Sequence, residues 1–291
     1  MIDNYVLIIG SIKSGTTSLF NYLAEHPEVC ACQEKEPKFF SNPEIFEQGL
    51  NFYQTLWSWD NSIHKIALEA SPNYTRVSHL DLLNAAEKIA EVQAQGIARF
   101  KFIYLMRDPI ERIESHYTHL EAWQQEVRVK PLAEGIDREI VDVSKYAMQL
   151  EEYYQRFDSA DIMLLDFEDL KQDPQATLQK VVQFLEIDPS YQFQELGKVY
   201  NDRRQRKKVR LPGWRKIRQT PIAYFIASRI PPAIKRLFHL TFSKQTKQQV
   251  KLSPEQQQYV IDQLQPDIEQ LNQQYKFDTK RWSKLAEVMQ P

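Results

Sequence analysis

An α/β fold, three layers deep with a central, mostly parallel sheet between helices, follows from three features of this 291-residue chain. Short, nearly continuous apolar runs alternate with helix-patterned segments, as strands buried on both faces alternate with the helices that cover them. The first run stops at Gly10 and passes through the loop "SIKSGTTS" into a helix, a P-loop-like strand–loop–helix that makes an anion site. A later run ends at Arg107 and is followed by Asp108 and Pro109, which open another helix with proline at a permitted first-turn position. Ligands of parallel sheets sit beyond the carboxyl ends of the strands, so both loops are expected to face one crevice.

The apolar runs place strands at Tyr5–Gly10, Glu28–Ala31, Lys65–Ala70, Phe100–Arg107 and Asp161–Phe167. Helical spacing places helices at Thr16–Glu25, Leu80–Gln95, Pro109–Glu126, Ser144–Phe157 and Pro174–Leu185. After Asp188 the pattern changes. Residues 201–218 hold nine cations and one acid with little apolar content, and read as an irregular basic loop. Ser253 before Pro254 and Glu255 is a helix start signal, which predicts a helical tail over 253–287. The expectation is a single domain over 1–291, with 201–218 and 253–287 as C-terminal elaborations.

Composition narrows the partners. An apolar content of 42% with 26% charged residues fits a folded, water-soluble chain, and a formal charge of −2 supplies no overall basic field for nucleic acid. No run of 18 apolar residues occurs, so no transmembrane segment is expected. The most membrane-like stretch, 222–242, is broken by Arg229, Pro231, Pro232 and Lys235. It reads as a packed helix pair or lid, with peripheral membrane contact as the alternative. The N-terminus lacks the pattern of a secretory leader. Cys30 and Cys32 sit two residues apart in a strand, which suits small buried hydrophobes better than a disulfide. A reducing, cytoplasmic location is therefore expected.

The opening loop carries Lys13, Ser14, Gly15, Thr16, Thr17 and Ser18. The first-turn N–H groups of a helix lack helical partners and point out of its end, Lys13 adds a point charge, and the hydroxyls add donors. The order Lys-Ser-Gly-Thr-Thr departs from the nucleoside-triphosphate loop, in which glycine and lysine directly precede the hydroxyl residue. No strand-end acid offers itself as a magnesium ligand, so a metal-free anion site is expected. Arg107, at the end of its strand, has the planar fork that grips phosphate, and Ser115 follows two turns into the next helix. His116 and His119 share a helix face, but no carboxylate–histidine motif accompanies them, so packing or surface roles are expected.

"IKSGTTSLFNYL" and "YLMRDPIERIESHYTH" together resemble the 5′-phosphosulfate loop and the 3′-phosphate segment of sulfotransferases that use 3′-phosphoadenosine 5′-phosphosulfate (PAPS). The resemblance runs through residues 5 to 190 in order of elements. "CQEKEPKFFSN" is similar to the Glu-x-x-Phe-Phe stretch of the heparan sulfate 3-O- and N-sulfotransferase branch, and "LEASPNYTR" to its Glu-Lys-Ser/Thr-Pro-x-Tyr segment. Ala70 replaces the lysine of that segment, which puts heparan-type handling of the acceptor in doubt.

The resemblance implies a fold of the PAPS-binding kind and a set of roles. Lys13, Ser14, Gly15, Thr16, Thr17, Ser18, Arg107 and Ser115 would hold the nucleotide, joined by Arg203, Arg204 and Arg206 of the late basic loop. Glu36 would be the general base, with Phe39 and Phe40 as an apolar wall that raises its proton affinity. Lys13 would stabilise the leaving phosphate. Glu69 and Tyr74 of the matched segment would contact the acceptor, a small molecule or carbohydrate that receives the sulfuryl group on a hydroxyl or amine, and Lys38, Lys35 or Arg76 would supply there the charge of the lysine missing at Ala70. The product would be 3′,5′-adenosine bisphosphate, with no metal required. Two other classes suit a strand–loop–helix anion site: a kinase-like phosphoryl-transfer enzyme, which would need magnesium and ATP, and a non-catalytic nucleotide-binding module.

Overall fold

The computed structural model describes residues 2–76, 83–123, 132–197, 207–209, 243–245 and 249–289. Arg203, Arg204, Arg206 and the 222–242 stretch lie outside the described residues. Five strands form the central sheet: β1 (Asn4–Gly10), β2 (Val29–Ala31), β3 (Ile66–Ala70), β4 (Arg99–Met106) and β5 (Ile162–Asp166). They lie in the order β2-β3-β1-β4-β5, and all are parallel. Tyr5 pairs with Ala67 on one side and Phe100 on the other, so β1 is central and its carboxyl end opens between two neighbours.

Alternation along β1 sorts the core into two layers. Val6 and Ile8 join α1 (Thr16–Leu23), α8 (Phe167–Gln172) and α9 (Pro174–Leu185) through Leu19, Leu23, Leu170, Leu178 and Val182. Tyr5, Leu7 and Ile9 face α4 (Ala85–Ala94), α5 (Pro109–Trp123), α6 (Arg138–Asp142), α7 (Tyr146–Tyr154) and α10 (Pro254–Gln274) on the other side. The register of β1 against β4 breaks between Ile8 and Gly10. A Cβ at Gly10 would run into the Tyr104 ring and lie 2.8 Å from Thr75 Oγ1, so only glycine lets the chain leave the sheet there.

The sheet matches the sequence expectation closely, α9 spans the residues expected of it, and α1 and α7 are shorter than expected. α4 starts at Ala85, where Asn84 caps it, accepting from Glu87 N at 3.3 Å, and residues 80–82 of the expected helix lie outside the described residues. Four short helices escape the periodicity reading: α2 (Pro43–Phe46), α3 (Gly49–Gln54), α6 and α8. The expected helical tail is two helices, α10 and α11 (Ser283–Met289), separated by a turn in which Lys276 has φ 55. Within the expected irregular basic loop, Lys207–Val209 is a strand, β6, pairing antiparallel with β7 (Ser243–Gln245).

Two buried carboxylates tie the C-terminal helices to the sheet. Asp108 Oδ1 accepts from Ile110 N at 2.9 Å and Glu111 N at 3.3 Å, while its Oδ2 accepts from Lys284 N at 2.9 Å and Leu285 N at 3.1 Å. One carboxylate thus caps the starts of both α5 and α11. Asp267 of α10 accepts from Ala147 N at 3.1 Å and Met148 N at 2.8 Å, capping α7, whose own N-cap residue Lys145 has no capping side chain. No helix among the described residues is long and apolar enough to cross a membrane. Cys30 and Cys32 are free and buried.

Candidate active site

The opening loop is shaped by its own backbone. Lys13 and Gly15 both adopt left-handed conformations, φ 73 and φ 94. For lysine this costs about 1–2 kcal/mol, which the surrounding hydrogen bonds must offset. Ser11 N donates to Leu105 O at 2.8 Å, and the Ser11 and Ser14 hydroxyls lie 2.5 Å apart. Ser14 is fully buried, so its hydroxyl braces the loop and does not offer itself to a ligand as the resemblance implies. Gly15 is the N-cap of α1, no side chain caps that helix, and its first turn holds no acid. The helix therefore begins with a bare positive end, bordered by Lys13, Thr16, Thr17 and Ser18.

Phe167, the first residue of α8, joins this loop to the end of β4. A Cβ at Gly15 would lie 2.6 Å from two atoms of the Phe167 ring. The Arg107 guanidinium lies 4.8 Å from the centroid of the same ring. The opening loop and Arg107 are thereby brought against one ring. Arg107 donates through Nε to Glu111 Oε2 at 3.0 Å and also through Nη2 to the same oxygen, which leaves Nη1 uncommitted by this pair. Burial raises the Glu111 carboxyl, but the Arg107 charge and hydrogen bonds outweigh it and hold the group below its ordinary value. Tyr146 OH donates to Arg107 O at 2.7 Å and fixes the backbone beneath the guanidinium. Ser115 is buried, two turns along α5.

Glu36 follows β2 and sits at the same edge of the sheet. Its φ is 64 and that of Lys38 is 57, so the loop bends sharply around Pro37. The Glu36 side chain is 38% exposed and pairs with Lys35 Nζ at 2.6 Å. The expected apolar wall is not formed by Phe39 and Phe40, which are fully buried and stack in the core, Phe39 on Tyr53 at 4.4 Å and Phe40 edge-on to Tyr74 at 5.9 Å. What they supply is an anchor for the loop.

A buried network finishes that anchor. Glu69 is fully buried, receiving Ser71 Oγ at 2.6 Å and the Tyr53 hydroxyl. Burial raises the proton affinity of Glu69. Lys38 N donates to Ser71 Oγ at 3.2 Å, and Phe40 N donates to Tyr74 OH at 3.2 Å. Glu69 and Tyr74, expected at the acceptor, thus lie under the Glu36 loop and hold it, because neither has a surface to offer. Lys38 is exposed, and Arg76 pairs with Glu139 at 2.9 Å with its side chain 19% exposed.

Phe167 and Tyr146 of this site lie outside every motif, and Arg112 lies inside the Arg107 segment without a role that the sequence assigns. Arg112 is fully buried and, among the described residues, has no carboxylate partner. It donates to Ser144 Oγ at 2.5 Å, Ile140 O at 2.5 Å and, more loosely, Ile12 O at 3.4 Å. Burial pulls its pKa down to about 10, which still leaves it charged near neutrality. No group of histidine, cysteine and acidic side chains suited to a metal ion occurs among the described residues.

Residues 3–208 match the family model described as the sulfotransferase domain. The chain is 23% identical over 209 residues to the bifunctional heparan sulfate N-deacetylase/N-sulfotransferase 4 of Mus musculus, covering 65% of this chain and 23% of that protein. It is 27% identical over 188 residues to heparan sulfate glucosamine 3-O-sulfotransferase 3B1 of Mus musculus, covering 62% of this chain and 45% of that one. The chain therefore spans less than half the length of these relatives. Its fold is shared with a crystal structure of a sulfotransferase from Alicyclobacillus acidocaldarius, at TM-score 0.63 and 17% identity, covering 97% of this chain and 100% of the other. With the match extending over most of the chain, including the Lys13 loop and the Arg107 segment, this protein belongs to the sulfotransferase domain family.

Proposed function

We propose that the chain transfers a sulfuryl group from PAPS to a hydroxyl or amine of a small-molecule or carbohydrate acceptor. The observation that carries this reading is the bare N-terminus of α1, set with Lys13 beside a phenylalanine ring that also carries Arg107. A nucleotide with phosphate at both ends suits two cationic walls of this kind.

Bound PAPS supplies an activated sulfuryl group, whose bond to the 5′-phosphate breaks as the acceptor's oxygen or nitrogen bonds to sulfur. Lys13 and the α1 amides hold the phosphate end and stabilise the charge left there. Arg107, with Nη1 uncommitted to Glu111, takes the 3′-phosphate. Glu36, on a loop clamped by the Ser71–Glu69 and Tyr74 contacts, accepts the acceptor's proton. Lys38 and Arg76 border the acceptor side. Free thiols at Cys30 and Cys32 favour action in a reducing compartment such as the cytoplasm.

Labelled PAPS offered with pools of hydroxylated and aminated acceptors tests the transfer. Label in an acceptor supports it. Stabilisation by ATP with magnesium and none by 3′,5′-adenosine bisphosphate would replace it with the phosphoryl-transfer reading. Bisphosphate binding with no transfer to any pool would leave a binding module.

A further inference from the structure

His116 lies one turn beyond Arg112 on α5, and Arg112 Nη1 is 3.3 Å from His116 Nδ1. A guanidinium has donors and no acceptor, so in this contact the arginine donates and Nδ1 accepts. The ring's one available lone pair is thereby committed. Its single proton must then reside on Nε2, and a second proton on Nδ1 would face the guanidinium N–H directly.

The surroundings act in the same sense. Among the described residues, the charged and titratable groups that act most on His116 are Arg112 and His119 on its own helix, Lys13 from the opening loop and Arg76 from the turn after β3. Burial, followed by these cations, pushes the imidazole well below its ordinary range. The ring is only partly exposed, and the same Arg112 nitrogen that meets it also reaches Ile12 O, the residue before Lys13. His116 is therefore tied to the loop that is read above as the anion cradle.

We infer that His116 is a neutral hydrogen-bond donor, through Nε2–H, to the anionic group held beside Lys13, and that Arg112 is the positioning residue that sets its tautomer. This rests on the PAPS reading for the identity of the anion. It also separates His116 from the general base: with Nδ1 occupied and Nε2 protonated, the ring has no site for an acceptor's proton. Arg112 shares a single nitrogen between the loop carbonyl and the imidazole, so one buried cation sets both the loop and the donor.

The test uses the full chain with 15N-labelled histidine, alongside His116→Gln, His116→Ala and Arg112→Lys. Ring nitrogen shifts distinguish the tautomers without any ligand. The expected result is one neutral Nε2–H form of His116 from about pH 5.5 to 8.5, a range across which an unperturbed histidine titrates. Arg112→Lys should release that tautomer preference.

Glutamine places its amide N–H near the position of Nε2. His116→Gln should therefore hold 3′,5′-adenosine bisphosphate within about threefold, while His116→Ala weakens it about tenfold or more, as loss of a hydrogen bond to a charged group does. Titration of His116 within the scanned range overturns the inference. So does His116→Gln losing turnover as completely as His116→Ala with bisphosphate affinity unchanged, which is the signature of a base. Equal affinity in all three forms removes His116 from the anion site. If the unaltered chain binds no bisphosphate, the PAPS reading fails, and the tautomer measurement still decides the state of the ring.

Discussion

The Arg107 guanidinium lies 4.8 Å from the centre of the Phe167 ring, and that ring also fills the space a side chain at position 15 would need. One aromatic residue therefore sets the distance between the two cationic walls of the crevice. Gly15→Ala should push on it from one side while also forcing alanine into φ 94. Gly49→Ala is the matched control, since Gly49 has φ 77 with nothing within 4 Å. Both variants should lose about 1 kcal/mol of stability from backbone strain. Gly15→Ala should lose a further ~1–2 kcal/mol of stability from overpacking against the ring, and only this variant should also lose affinity for 3′,5′-adenosine bisphosphate. Thermal unfolding and calorimetric titration of the two variants check this; equal affinity in both would remove Phe167 from the site.

Glu36→Gln removes the proposed base and little else, because the loop is held by Ser71, Tyr74 and the buried Phe39 and Phe40. Turnover should fall by about 10²–10⁴-fold, the usual contribution of a positioned general base. Bisphosphate affinity and melting temperature should barely change. Full activity in this variant places the base elsewhere.

Lys13→Ala should damage both binding and rate, since the same charge meets the phosphate before and during transfer. The expected loss in rate is about 10²–10³-fold, comparable to removing one donor from a preorganised anion site. Steady-state kinetics on the variant, with PAPS varied, separate the two effects. A normal rate at saturating PAPS would exclude Lys13 from the reaction.

Asp267 sits under the start of α7 and is 8% exposed, and burial raises its pKa to about 6 against an ordinary 3.8. The native state then keeps a proton that the unfolded chain has already released. Stability from this group is greatest below about pH 4 and declines as pH rises through about 6, by on the order of 3 kcal/mol. Asp267→Asn cannot titrate, so its stability should lack that decline. The check is the difference in unfolding free energy between the unaltered chain and Asp267→Asn at about pH 4 and pH 6.5, which cancels the other raised carboxyls, Glu69 and Asp108. A constant difference across that range would show that Asp267 does not titrate there.

The strands were legible because burial on both faces leaves an unbroken apolar run, a signal that needs no knowledge of the partner strand. Short helices such as α2, α3 and α8 were not, since four to six residues are too few to display a 3.6-residue period. The Lys13 loop and Arg107 were legible through residue order alone. The environment of Glu36 was not: left-handed backbone at Glu36 and Lys38 turns Phe39 and Phe40 into the core, away from the carboxylate they follow.

By itself the amino-acid order determined a parallel α/β sheet, a lysine- and glycine-bearing loop at its first strand end, and an arginine at another. Those are local properties, written in runs, spacings and neighbouring residue types. Only the folded chain decided that Phe167 joins the two loops, that Glu69 and Tyr74 brace Glu36 from beneath, and that Arg112 hydrogen-bonds both Ile12 and His116. Most of these contacts join residues far apart in the chain, and only closure of the sheet and its helices brings such residues within hydrogen-bonding reach.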